Sequence, residues 1–329
     1  MNYNILRGRR AFVTGATGMV GSWLTRSLVQ LGADVTALVR DWVPHSHLLG
    51  DHGQLPNFVF GDLADYRVVE RAIAEYEIEI VFHLGAQTIV QIANTSPLGT
   101  FEANIKGTWN VLEACRQSST VKAIVIASSD KAYGEAAELP YTELTPLRGA
   151  HPYDVSKSCA DLLANAYWNT YRLPLVITRC GNIFGPGDLN FSRIIPGTIR
   201  SVLLNERPVI RSDGSLVREY FYVRDAADAY LWVGQKLLEK GSGVAGEAFN
   251  FSNERPMTVL EITRLILEVM GRKDLEPVIL GTAKGEITAQ ALSAKKAREQ
   301  LNWKSMYPME QGIRETVEAL RPIVLGHSQ

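Results

Sequence analysis

Short apolar runs alternate with longer amphipathic segments through the first 180 residues of the chain. Residues 11–14, 35–39, 57–61, 78–84, 121–128 and 175–178 have the length and composition of buried strands. Between them, 19–31 follows a Gly-rich turn as a helix, and 65–76 sets Val69, Ala72, Ile73 and Tyr76 at helical spacing. Residues 97–116 place Phe101, Ile105, Trp109 and Leu112 on one helical face, and 151–171 reads as a further helix. Such alternation predicts an α/β fold whose parallel sheet is covered by helices on both faces. After Cys180 the pattern changes. Residues 181–188 and 211–215 are turn-rich, and the strands at 208–211, 219–223 and 248–251 are short. Clear helices return at 258–270, where Ile262, Leu265, Ile266 and Val269 share a face, and at 309–320. The C-terminal third therefore predicts a smaller mixed α/β lobe covering one end of the sheet.

Composition narrows the class without choosing a function. Of 329 residues, 46% are apolar and 21% charged, ordinary for a globular protein with a large core. A net charge of −1 argues against a broad basic face for nucleic acid, so phosphate chemistry belongs in a local pocket. Cys115, Cys159 and Cys180 are too few and too widely spaced for a disulfide framework or a zinc site, so no metal is expected. Arg7, Gly8, Arg9 and Arg10 precede only a short apolar run, unlike a signal peptide. No stretch approaches the roughly 18–20 apolar residues of a membrane helix. The expectation is a soluble cytoplasmic protein without nucleic-acid or membrane partners.

The first strand runs directly into Gly15, Ala16, Thr17, Gly18, Met19, Val20 and Gly21. Glycines three apart between strand and helix allow a tight turn, close approach of backbone to a pyrophosphate, and close packing of helix on strand. The helix N-terminus then offers free N–H groups and the positive end of its dipole to phosphate. The motif in this context predicts a bound dinucleotide. Asp62, at the end of the third strand, either receives adenine or caps the segment from Ala64. Where NAD binders often place an acid, the second strand ends Leu38, Val39, Arg40, Asp41. Arg40 suits the 2′-phosphate of NADP, Asp41 the ribose of NAD, and a solvated charge pair is equally compatible.

Tyr153 and Lys157 lie four apart at the start of a predicted helix and so share a face. A free phenol titrates near 10, too high for a base at neutral pH. A nearby ammonium and an oxidised nicotinamide would favour phenolate. Upstream, the strand 121–128 ends in Ser128, Ser129, Asp130 and Lys131, at the sheet edge where ligands bind in open α/β folds. The serine hydroxyl can bond a substrate oxygen and share a proton with Tyr153. Each element alone is commonplace, but this order of loop, strand-end serine and Tyr/Lys helix points to an oxidoreductase-type site.

These residues together make the chain resemble the extended short-chain dehydrogenase/reductase family, whose members act on nucleotide sugars. The likeness is carried by 14–21, Asp62 with Leu63, His83, Leu84, Gly85, Ala86 and Gln87, 104–108 beginning at Asn104, 128–134, 153–157, and 179–187 with Arg179, Cys180 and Asn182. It continues through 218–225 and 293–303, nearly the whole chain. The resemblance implies a Rossmann-type doubly wound sheet binding NAD or NADP, held tightly and regenerated each cycle, with Cys180 packing near the nicotinamide. It divides the chain into a dinucleotide domain, 1–180 with 224–251 returning to it, and a substrate lobe of 181–223 and 252–329.

Within that family, 128–134 resembles the CDP-glucose 4,6-dehydratase branch, with Ser129 in the hydroxyl position, Asp130 next, and Lys131 where glutamate is commoner. Residues 187–196 match the same branch, although the chain is short for it and differs around Arg40. The implied cycle oxidises C4, eliminates water across C5 and C6, and returns hydride to C6. Asp130 is the expected acid for the 6-hydroxyl. Lys131 is either the C5 base, if its proton affinity is lowered, or a group that orients Asp130 or holds phosphate. The diphosphate-sugar substrate is expected at Gln87, Ser129, Asn182, Arg193, Arg211 and Arg218, arginine being suited to bidentate phosphate contacts. A homodimer through helices 97–116 and 151–171 is implied. The rival readings are a 4-epimerase, which needs no acid at C6, a decarboxylase of a nucleotide-linked uronic acid, and a cofactor sensor without turnover.

Overall fold

The computed structural model describes residues 3–41, 43, 46–49, 53–136, 138–239, 241, 243–282 and 287–326. In chain order the strands and helices are β1 (Arg10–Thr14), α1 (Met19–Gln30), β2 (Asp34–Val39), β3 (Asn57–Phe60), α2 (Tyr66–Glu75), β4 (Ile80–His83), α3 (Val90–Thr95), α4 (Pro97–Phe101), α5 (Gly107–Gln117), β5 (Ala123–Ala127), α6 (Pro152–Tyr171) and β6 (Leu175–Cys180). They continue as β7 (Asn182–Phe184), α7 (Ile194–Leu203), β8 (Val209–Ile210), β9 (Val217–Tyr222), α8 (Val223–Leu238), β10 (Ala248–Phe251), β11 (Pro256–Thr258), α9 (Val259–Val269), β12 (Val278–Ile279), α10 (Lys295–Leu301) and α11 (Met309–Leu325).

Seven strands form one parallel sheet in the order β10-β6-β5-β4-β1-β2-β3. Side chains alternate between its faces as the pleat requires. In β1, Ala11 and Val13 pack with Leu24 and Leu28 of α1 and Ala226 and Val233 of α8. Phe12 points the other way, with Val69 of α2, Leu112 of α5 and Ala164 of α6. The strand order reverses between β1 and β4, and ligands of open α/β sheets bind outside the carboxyl ends of the strands at such a switch.

A second core joins Phe184, Ile195, Ile199, Tyr220, Tyr222, Ile262, Ile266 and Ile313 beyond the large sheet. Its strands are a three-stranded sheet, β11-β9-β7, and the short pair β12-β8.

Several elements depart from the expectation, among them the unanticipated α3, α10, β11 and β12. The segment 97–116 is not one regular helix: a π-helical turn, Glu102–Lys106, separates α4 from α5 and turns Asn104 into the interior. Asn182–Phe184, expected as turn because glycines flank it, pairs with β9. Helix α7 escaped the pattern because Pro196 and Gly197 stand in its first turn, where a missing N–H costs little. Helix α8 starts at Val223, expected as strand, and is buried on most sides, with Arg224, Asp228 and Lys236 forming a narrow, partly exposed polar row at helical spacing.

Helix α6 is fastened to the sheet by a buried ion pair. Arg179 of β6 grips Asp161 through Nε–Oδ2 at 2.7 Å and Nη2–Oδ1 at 2.8 Å, and their side chains are only 6% and 2% exposed. Removing one charge strands the other in a dry site. Asp161→Asn should therefore cost about 3–5 kcal/mol in chemical denaturation, far above an exposed ion pair.

Candidate active site

The glycine loop closes on itself as the spacing predicts. Gly15 has φ +71°, and a Cβ there would meet Gly85 N at 2.7 Å. A Cβ on Gly21 would lie 2.0 Å from the Gly15 carbonyl oxygen, so the helix can approach the turn only without a side chain. Gly18 N donates to Gly15 O at 3.1 Å, and Gly18 caps α1 without any side-chain acceptor. The first turn, with Thr17, Met19 and Val20, thus presents amides to an incoming anion.

Beside the loop, a directed chain of hydrogen bonds sets the end of β4. Thr108 spends its hydroxyl proton on Asn104 O at 2.6 Å, so it accepts from His83 Nε2 at 3.0 Å. The other ring nitrogen, Nδ1, then accepts from the Thr14 hydroxyl at 2.8 Å, which in turn accepts Gly85 N–H at 3.0 Å. Burial, with the Lys157 charge nearby, pushes His83 down to about 3, so the ring is neutral. Asn104, turned inward by the π turn, accepts Gln87 N–H at 2.7 Å and donates to Gln87 O and Ser156 Oγ at 3.0 and 2.8 Å. Ser156 Oγ donates to Tyr153 O at 2.7 Å. Leu84, Gly85, Ala86 and Gln87 are thereby held between the loop and α6.

The catalytic candidates converge at the ends of β5 and α6. Lys157, buried at 6% exposure, donates from Nζ to Ala127 O at 2.8 Å, and burial lowers its ammonium to about 8. Tyr153 hydrogen-bonds Ser129, and burial with the Asp130 charge raises its phenol above the usual 10. Ser129 Oγ donates to Asp130 Oδ1 at 3.0 Å and accepts Lys131 N–H. Asp130 is raised by burial, against the pull of Lys131, Ser129 and Arg218. Lys131 Nζ donates to Gln290 Oε1. Ser128 Oγ is buried with no hydrogen-bond partner among the described residues.

Next to these groups lies a cavity of about 440 Å³ bordered by Asn182, Arg193, Arg211, Arg218 and Tyr220. Arg193 is braced by Asp188 at 2.8 Å and Ile183 O, Arg211 by Ser192 O, and Arg218 by Val217 O. The structure thus gathers the expected phosphate-binding side chains on one opening. Other side chains singled out in the sequence engage neighbours within the chain. Asp62 accepts Ala64 N–H at 2.8 Å in a local cap. Leu63 packs against Gly85 and Gly107. Arg40 and Asp41 form an exposed pair at 2.6 Å. Cys180 is buried and its thiol is pushed up to about 12 by burial, which suits packing rather than nucleophilic attack. Sequence reading missed the Thr108–His83–Thr14 chain, Gln290 and Glu219. For Glu219 the one available signal was an acid inside the otherwise aromatic run 219–222.

The glycine cradle, the uncapped amides of α1 and the orphaned Ser128 hydroxyl all fit a dinucleotide. Gly21→Ala should weaken NADH binding by at least about tenfold, about 1.4 kcal/mol, in a fluorescence titration. The circular dichroism of the variant should stay unchanged.

A family model described as the NAD dependent epimerase/dehydratase family matches residues 11–251. CDP-glucose 4,6-dehydratase of Salmonella typhimurium is 33% identical over 95% of this chain and 90% of its own length. dTDP-glucose 4,6-dehydratase of Neisseria gonorrhoeae is 28% identical over 94% of this chain and 95% of its own. Among solved structures, UDP-glucose 4-epimerase of Thermotoga maritima superposes with a TM-score of 0.86 at 28% identity, covering 96% of this chain and 99% of that one. The dTDP-glucose 4,6-dehydratase DesIV of Streptomyces venezuelae, solved with NAD, gives 0.85 at 27% identity, covering 95% and 97%. A glycine cradle for a dinucleotide, a buried Tyr–Lys helix and this agreement along the chain have one reading: the protein belongs to the NAD-dependent epimerase/dehydratase family, a group of nicotinamide enzymes with a Rossmann-type sheet.

Proposed function

We propose that the chain is a nucleotide-sugar 4,6-dehydratase, with a CDP-linked hexose as first choice of substrate. The observation that carries this reading is Asp130: a carboxyl with raised proton affinity, one hydrogen bond from the hydroxyl that serves Tyr153. A 4-epimerase needs the Tyr, Lys and Ser but gains nothing from that acid. Epimerases are also among the structures this chain resembles, so epimerisation is the second reading.

Held over the 15–21 loop, the nicotinamide dinucleotide would supply a hydride acceptor that later gives the hydride back. The chain's own residues handle the protons. Tyr153 takes the C4 hydroxyl proton, with Lys157 stabilising the phenolate and Ser129 holding the C4 oxygen. A C4 ketone acidifies the C5 proton, which Lys131 accepts in its neutral form. Asp130 then protonates the departing C6 hydroxyl, so water leaves without bulk acid. Arg193, Arg211 and Arg218 hold the diphosphate and nucleotide, and Asn182 and Gln87 complete the substrate contacts. We assign residues 1–180 and 224–251 to the dinucleotide domain, and 181–223 with 252–329 to the substrate lobe. The Arg40–Asp41 pair offsets the cation that a 2′-phosphate would need, which favours NAD over NADP. Leu98 and Trp109 on α4 and α5, and Leu162 and Tyr171 on α6, are exposed apolar groups suited to pairing two copies in a homodimer.

Purified protein incubated with CDP-, dTDP-, GDP- and UDP-linked hexoses should convert one of them to a 4-keto product lighter by one water. Unchanged mass with inverted C4 would establish the epimerase instead. Tyr153→Phe should retain cofactor binding and lose turnover by roughly 10²–10⁴-fold, the usual worth of an acid–base group. The pH dependence follows from Lys157. Its ammonium is charged below about 8 and lost above, so kcat/KM for C4 oxidation should fall as pH rises through that value.

A further inference from the structure

Glu219 has no part in the cycle above, yet it is an acid placed deep beside it. It stands in β9, 3% exposed. Its Oε2 accepts from Ser252 Oγ at 2.5 Å and Leu292 N at 3.1 Å. Its Oε1 is buried and has no hydrogen-bond partner among the described residues. Ionising a carboxyl with one oxygen dry and unbonded is unfavourable.

Glu219 feels the charge of Asp130. The two flank the bare backbone of Gly181: a Cβ there would stand 3.7 Å from Glu219 Cβ and 3.8 Å from Asp130 Oδ2. Burial, helped by the Asp130 and Glu254 charges, raises Glu219 to about 7 against the pull of Ser252 and Leu292. Around Asp130 lie Arg218 and, whenever it is protonated, Lys131 as cations, with Tyr141, Tyr153, Asp154, Cys180 and Glu219 on the other side of the balance. Two buried carboxyls that feel each other's charge titrate as a pair rather than singly.

We propose that Glu219 is a positioning residue for the elimination, coupled to Asp130 so that the two carboxyls hold one proton between them for delivery to the C6 oxygen. This rests on the dehydratase reading. The proton balance closes within the site. In the elimination the Asp130 O–H bond breaks, an H–O6 bond forms, C6–O6 breaks, and the C5 proton passes to the base, which gives it back to C5 when hydride returns to C6. Tyr153 has meanwhile gained the C4 hydroxyl proton, and Ser129, bonded to both Tyr153 and Asp130, returns that proton to the pair.

The test is Glu219→Gln, an isostere that keeps an acceptor for Ser252 and Leu292. Its readout is the ratio of water loss to C4 oxidation as a function of pH, so that effects on Tyr153 and Lys157 cancel. Removing the neighbouring charge weakens proton binding at Asp130, so the alkaline fall of that ratio should move down by about one pH unit. Glu219→Asp should restore part of the shift, whereas a purely structural role would lower both steps alike at every pH. A limb at the wild-type position in Glu219→Gln would overturn the proposal. An infrared titration needs no substrate: the protonated-carboxyl band that Asp130→Asn removes should persist to higher pH in wild type than in Glu219→Gln. If no nucleotide sugar loses water, the dehydratase reading fails, while the infrared band still decides whether the carboxyls are paired.

Discussion

Lys157 donates a hydrogen bond to the carbonyl of Ala127, the last residue of β5, and the geometry of the site hangs on that contact. An ammonium buried at the meeting of a helix and a strand end tolerates few positions, because each N–H it cannot bond raises its desolvation cost. Ser158 adds a second tie, to Ala132 O at 2.9 Å, and Asp161 a third through Arg179. With the helix so fixed, Tyr153 one turn earlier has little freedom. Its backbone oxygen is also held by Ser156, and through Asn104 the same chain of bonds reaches Gln87. The scaffold thus registers α6 against β4 and β5 at once.

That rigidity is what makes the electrostatics useful. Three titratable groups share one dry space, and each is displaced from its ordinary proton affinity chiefly by burial: the phenol up, the carboxyl up, the ammonium down. In all three burial opposes the charged form, although the Lys157 ammonium, at about 8, still carries its charge at neutral pH. The site becomes a set of proton acceptors and donors only as charge develops on a substrate placed among them, which is the arrangement that lets preorganised groups act without solvent reorganising.

Much of this was open to reading from the chain itself. The parallel sheet showed in apolar runs separated by periodic helices, since a strand buried on both faces cannot hide its composition. The loop showed because only glycine serves where the Gly21 Cβ would strike a carbonyl. Tyr153 and Lys157 showed because four residues of helix bring them together. What stayed hidden depends on distance along the chain. His83 meets Thr14 across 69 residues and Thr108 across 25, and no local pattern records such meetings. Glu219 acquires its character from Leu292, 73 residues on, and Ser252, 33 residues on.

The order of strands bears on how the protein is made. β6, whose Arg179 anchors α6 and whose Cys180 lies beside Lys157, is covered on its outer side by β10, more than sixty residues later. Until a ribosome has delivered Phe251, a nascent chain holds β6 as an open, strongly apolar border, the kind that adheres to other strands. Synthesis that stalls between these two strands leaves an adhesive intermediate, so the late, short β10 serves as the latch that makes the newborn enzyme safe among its own copies.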